Sequence, residues 1–158
     1  MRTIDEIKST YQTLGAVNTL DKALKKTKGF SLLDIMILKT TFEHKDFIRK
    51  TEIEKILHVS PAMSQKSTKH LRKEGLIIKD RDIDDEGIII VGMNDDMRQK
   101  AQKLFKEVEQ TQQEILNGNN PADRVKKDKE NKDRENDEKI THHKQNNNLD
   151  KTFKNKHK

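Results

Sequence analysis

What most limits the fold of this chain is the point where its apolar residues stop. From Thr3 to about Asn117 they recur at regular intervals, whereas beyond Gly118 only Val125, Ile140, Leu149 and Phe153 stand out among Lys, Asp, Glu, Arg and Asn. A stretch so poor in apolar surface cannot offset its ordering entropy by burial. Residues 1–118 are therefore expected to form one folded domain and residues 119–158 a disordered, charged tail. Over the 158 residues, 30% are hydrophobic and 38% charged, so a core is feasible only where the hydrophobes concentrate.

Periodicity and punctuation divide the first part into seven elements. A long helix is expected from about Thr3 to Lys26, with Ile4, Ile7, Tyr11, Leu14, Val17, Leu20 and Leu24 on one stripe. Gly29 ends it. Ser31-Leu32-Leu33-Asp34 has the form of a capping box and opens a second helix with Ile35, Leu38 and Phe42 inward. A short third helix runs to Leu57. Ser60-Pro61 starts a fourth, since serine caps free amides and proline at the first helical position loses no hydrogen bond. Gly75 stops it. Two strands, Leu76–Asp80 and Ile88–Val91, flank the polar segment Arg81–Gly87. A last helix from Asn94 carries Ala101, Leu104, Val108, Thr111 and Ile115 at alternating three- and four-residue spacing, a coiled-coil-like seam.

The third and fourth helices with the turn His58-Val59-Ser60 describe a helix-turn-helix, and the hairpin after it makes a wing. The fold expected is thus mainly α with a small β-hairpin, a winged helix-turn-helix dimerising through its N- and C-terminal helices. In the fourth helix Met63, Ser67 and Leu71 recur every four residues and are expected to face the core, with Ser64 and Thr68 partly buried beside them. Ala62, Gln65, Lys66, Lys69 and Lys73 then look outward. With the cap Ser60 they are the candidate DNA-binding residues: Gln reads an adenine edge, and Lys contacts guanine or neutralises phosphate.

The stretch from Arg49 to Pro61, then Leu71-Arg72-Lys73-Glu74-Gly75-Leu76-Ile77 and Asp82-Ile83-Asp84-Asp85-Glu86, resembles the MarR family of transcriptional regulators. Leu20–Leu24 and Phe30–Leu38 are similar to the first two helices of its single-domain staphylococcal accessory regulator branch. The resemblance spans about residues 3–117. It implies a homodimer on double-stranded DNA, with two recognition helices in successive major grooves and wings at the outer edges. It also allows a small anionic ligand in the cleft between dimer helices and DNA-binding lobes. One departure stands out: where the family's acidic wing runs into an arginine, this chain has Gly87. Asp82, Asp84, Asp85 and Glu86 should repel phosphate, and Lys79 and Arg81 at the wing base are the candidates to compensate.

The formal charge of +6 and an isoelectric point near 9.4 suit an anionic partner. There is no cysteine, which removes thiol chemistry. The six histidines show no metal-ligand spacing, and no phosphate-cradling loop, nucleophile elbow or acid–base pair is present, so neither a metal, a cofactor nor an enzymatic activity is expected. With no signal peptide or membrane-length apolar run, a cytoplasmic, membrane-free protein is expected. The terminal helices offer more apolar surface than one small winged domain covers. A dimer interface is accordingly expected through Ile4, Ile7, Tyr11 and Leu14 of the first helix and Leu104, Val108 and Ile115 of the last. The competing expectation is a protein-interaction module with weakened DNA binding that modulates another regulator.

Overall fold

The structure, a computed structural model, describes residues 3–123. Five helices and three short strands follow in the order α1 (Ile4–Lys28), α2 (Leu32–Phe42), β1 (Ile48–Arg49), α3 (Lys50–Leu57), α4 (Pro61–Lys73), β2 (Ile78–Arg81), β3 (Ile89–Gly92) and α5 (Asp95–Leu116). Their ends are set by local chemistry. Thr3 Oγ1 accepts from the Glu6 amide while Glu6 returns a bond to the Thr3 amide, and Ser31 and Asp34 form the same reciprocal pair at α2. Ser60 caps α4 with Pro61 behind it, and Asn94 caps α5.

Every helix C-terminus except that of α2 closes with a left-handed residue. Gly75 (φ 72°) and Gly118 (φ 85°) each end a helix in a Schellman motif, the Leu76 amide reaching Leu71 O at 3.0 Å and the Asn119 amide Glu114 O at 2.8 Å. This corrects the expected first strand. Leu76 and Ile77 are buried, but they complete the end of α4, and pairing begins only at Ile78. His58 closes α3 at φ 55°, a region in which an L side chain is strained. His58→Gly is expected to raise stability by about 0.5–1 kcal/mol, strain relief exceeding the extra entropy of the unfolded chain. A urea midpoint unchanged or lowered by the substitution would contradict this.

The sheet has the order β1-β3-β2 and is antiparallel throughout, with Ile48 opposite Val91, Arg49 opposite Ile90 and Asp80 also opposite Ile90. β1 was not expected. Its two residues give no periodic signal and are strand only because β3 supplies partners.

Leu24, Ile35, Leu38, Ile53, Leu71, Val91 and Leu104 centre the core, which joins α1, α2 and α5 to the helix-turn-helix. Asp21 accepts the Leu32 amide at 2.8 Å and Lys25 Nζ at 3.0 Å, locking α1 to the start of α2. Burial pushes the Asp21 carboxyl up, but these bonds and the Lys25 charge outweigh it and hold it below its ordinary value. Arg98 clamps the other end of α2: its guanidinium donates to Phe42 O at 2.7 Å and lies 4.4 Å from the Phe42 ring centre. The chain up to Pro121 forms one compact unit. The tail expected over 119–158 lies, from residue 124 onward, outside the described residues.

One part of α1 takes no share in the core. Every residue from Thr3 to Thr19 is exposed, Ile4 by 77% and Tyr11 by 76%.

Candidate nucleic-acid interface

α4 carries two opposed stripes. Ser64, Ser67, Thr68 and Leu71 are buried; Ala62, Gln65, Lys66, Lys69, Arg72 and Lys73 are exposed. The buried set follows a three-one-three spacing, the helical period itself, and here the expectation needs correcting. Met63 does not face the core but is 53% exposed, and Ser64 is fully buried in its place. A strict four-residue repeat drifts around a helix of 3.6 residues per turn. The polarity of Ser64 and Thr68 masked the true inner face. The six outward residues contain three lysines, one arginine and one glutamine. Arg72 was missing from the expected set because it falls near the helix end.

What makes Ser64 acceptable inside is Glu54. Its carboxylate accepts from Ser64 Oγ at 2.6 Å and from Lys50 Nζ at 2.5 Å, and both charged side chains are only 11% exposed. Burial raises the Glu54 pKa, yet the hydrogen bonds from Lys50 and Ser64 and the Lys50 charge prevail and leave it below its usual value. This cluster couples the first helix of the motif to the second, and so fixes the angle at which the outward face of α4 is presented. Residue spacing gave no sign of it beyond the i, i+4 pair Lys50–Glu54.

The wing is self-contained. The Asp82 amide donates to Ile88 O at 2.9 Å, the Gly87 amide to Asp85 Oδ1 at 3.0 Å, and the Arg81 guanidinium to Glu86 O at 2.8 Å. Arg81 therefore braces the loop from inside, and Lys79 is half-buried. At the tip Ile83 is 97% exposed beside Asp84, Asp85 and Glu86. The cation that sequence reasoning missed is Arg49. From β1 it reaches past β3 to Asp82, with Nη2 to Oδ2 at 3.4 Å. It neutralises one wing carboxylate and ties the wing to the start of α3.

A cleft of about 790 Å³ separates α1 and α2 from α4, with Val17, Met36 and Met63 among its apolar lining and Asp21, Lys25, Asp34, Lys66 and His70 among its polar lining. His70 Nε2 lies 3.0 Å from Gly29 O, and its ring packs tilted on Phe30 at 5.2 Å. His44, His58 and His70 stay apart, and among the described residues no three metal-ligating side chains converge. No described helix is long and apolar enough to cross a membrane.

Of the residues expected to form a dimer interface, Ile4, Ile7, Tyr11 and Leu14 are exposed, and Ile115 is half-buried. Leu104 lies in the core of its own chain, and Val108 packs against that core.

A capped recognition-type helix, its preceding helix and a hairpin on a three-stranded sheet define a winged helix-turn-helix protein. Residues 19–104, more than half of the chain, match the model of the family described as transcriptional regulator SarA/Rot. The chain belongs to this family of transcriptional regulators. No curated protein matches the sequence significantly. Among solved structures, the transcriptional regulator BldR from Sulfolobus solfataricus is similar at 24% identity, covering 75% of this chain and 84% of its own, with a TM-score of 0.57. MarR aligns at 14% identity over 85% of this chain and 98% of its own, with a TM-score of 0.60. Reduced AbfR, solved bound to DNA, aligns at 20% identity over 67% and 73%, with a TM-score of 0.56. At these identities the likeness is one of fold.

Proposed function

We propose that the protein regulates transcription as a homodimer that binds double-stranded DNA sequence-specifically, each copy placing α4 in a major groove. The observation that carries this is the outward face of α4, where Gln65, Lys66, Lys69 and Lys73 follow a capped N-terminus along the helix and no carboxylate intervenes until Glu74. Gln65 supplies base reading, the lysines phosphate or guanine contact, and the Ser60 end of the helix favours a nearby phosphate. The apolar stripe of α1, with Ile115 of α5, supplies the surface for a second copy. Two-fold symmetry then matches an inverted repeat. The cleft beside α4 offers a place for a small anion, with Lys66 as its cation, Lys25 being paired with Asp21.

Selection from a random duplex library at fixed salt tests the reading. An inverted repeat with half-sites about one helical turn apart is the expected product. No enrichment would count against it.

A second reading rests on the wing. Its acidic residues and the exposed Ile83 suit a protein partner better than phosphate, which would make the chain an interaction module with weak DNA affinity. The wing also yields a prediction under the first reading. Lys79→Ala with Arg81→Ala should lower DNA affinity severalfold and flatten its salt dependence, because both cations at the wing base are lost. An unchanged Kd at fixed salt would leave α4 as the sole determinant.

A further inference from the structure

Residues 3–123 hold four arginines, and one of them has a bond that is easily exchanged. Arg98 is held by Phe42 O at 2.7 Å and Arg81 by Glu86 O at 2.8 Å, both short bonds to backbone carbonyls. Arg72 stands on the outward face of α4. Arg49 reaches only another side chain, with Nη2 3.4 Å from Asp82 Oδ2, and it is itself 58% exposed. A long pair through one nitrogen, open to water, contributes little to stability.

That contact ties the wing to α3, but the wing loop is also closed by bonds of its own. Asp82 Oδ1 accepts the Asp84 amide at 3.0 Å, and the Asp82 amide reaches Ile88 O. Arg81 and the Gly87 amide complete the loop. Releasing Arg49 leaves all of these in place.

The position of Arg49 gives a released guanidinium something to bind. It immediately precedes α3, and the next side chain, Lys50, lies 3.4 Å from Pro61 O at the start of α4. On the sheet Arg49, Ile90 and Asp80 stand in one row, and Asp82, two residues beyond Asp80, shares their face. The contacts that join the capped start of α4 to the wing therefore run through the Arg49–Lys50 step.

We propose that Arg49 is a phosphate contact held in reserve. Asp82 occupies its guanidinium in the free protein, and a DNA phosphate takes the place of Asp82 when α4 enters the groove. A phosphate offers two oxygens to the planar guanidinium fork, whereas Asp82 engages a single nitrogen. The wing then receives from β1 a cation that its own tip, with Gly87, lacks. This rests on the DNA-binding reading and adds to it a residue outside α4.

The test uses the full chain on a mixed-sequence duplex of about three helical turns, over a salt series, because a phosphate contact carries no sequence information. Arg49→Ala should lower affinity about three- to tenfold and make the slope of log K against log salt shallower by about 1 per copy. Arg49→Lys should restore the slope but only part of the affinity. Asp82→Asn should raise affinity about threefold by freeing Arg49, with a smaller gain when Arg49→Ala is also present. A mere brace for the wing predicts the opposite sign, so lowered affinity with a lowered urea midpoint in Asp82→Asn overturns the exchange. So does an unchanged slope in Arg49→Ala, or an Asp82→Asn gain that is as large without Arg49 as with it. In each of these cases a loss of affinity for the same duplex in Lys66→Ala with Lys69→Ala leaves DNA binding by α4 standing. If the unsubstituted chain binds neither this duplex nor any selected one, both readings fall.

Discussion

Glu54→Ala is expected to cost the fold about 2–3 kcal/mol at neutral pH, lowering the urea midpoint by about 1 M or more. The substitution removes the acceptor shared by Lys50 and Ser64, leaving an ammonium and a hydroxyl without their partner in a region where both residues are largely buried. Losing one member of such a pair costs more than the pair itself contributes, because the remaining charge has been taken out of water. Lys50→Met combined with Glu54→Gln should therefore recover much of the loss. If the double variant were no more stable than Glu54→Ala, the ion pair would not be the cause.

The same cluster predicts a pH dependence. The Glu54 pKa is lowered in the folded state, so its contribution is fully present above the unfolded value near 4.5 and is lost as pH falls through the folded value. Asp21 adds a loss of the same sign in the same acid range. In Glu54→Gln the fall in stability between about pH 5 and pH 3 should be shallower than in the unsubstituted chain. Equal slopes would show that Glu54 titrates alike in both states.

Lys66→Ala with Lys69→Ala is expected to reduce DNA affinity at least tenfold without affecting stability. Both side chains are exposed and neither contributes to the core. In a dimer the pair removes four cations. If all four neutralise phosphate, the slope of log K against log salt becomes shallower by about 3–4. Gln65→Ala should behave differently: a loss of about 1–3 kcal/mol confined to the preferred sequence, with the salt slope unchanged, marks a base contact. Uniform loss across sequences for Gln65→Ala would remove it from the reading positions.

Membership of the SarA/Rot family and the wing's departure from the usual pattern bear on each other. Gly87 stands where the resemblance leads one to expect an arginine. Arg81 is occupied with Glu86 O, and Arg49 with Asp82, so both arginines near the wing also hold the wing's own shape. DNA contact by this protein is thus expected to be weighted toward α4.

Much of this was legible in the residues alone. The starts and stops of the helices, including Ser31 with Asp34, Ser60-Pro61, Gly29 and Gly75, were determined by the sequence, because a cap is made between groups three to five residues apart. So was the outward set Ala62, Gln65, Lys66, Lys69 and Lys73. The tertiary structure alone decided what depends on distant partners. Ile48 and Arg49 became a strand because β3 lies beside them, and Arg49 found Asp82, 33 positions away. Ser64 displaced Met63 from the inner face because Glu54 offered its hydroxyl an acceptor. Leu104, on the same seam as Ile115, turned inward because α5 crosses the core at one end and leaves it at the other. A periodic pattern shows that a face will be buried; what buries it is set by elements that only folding brings together.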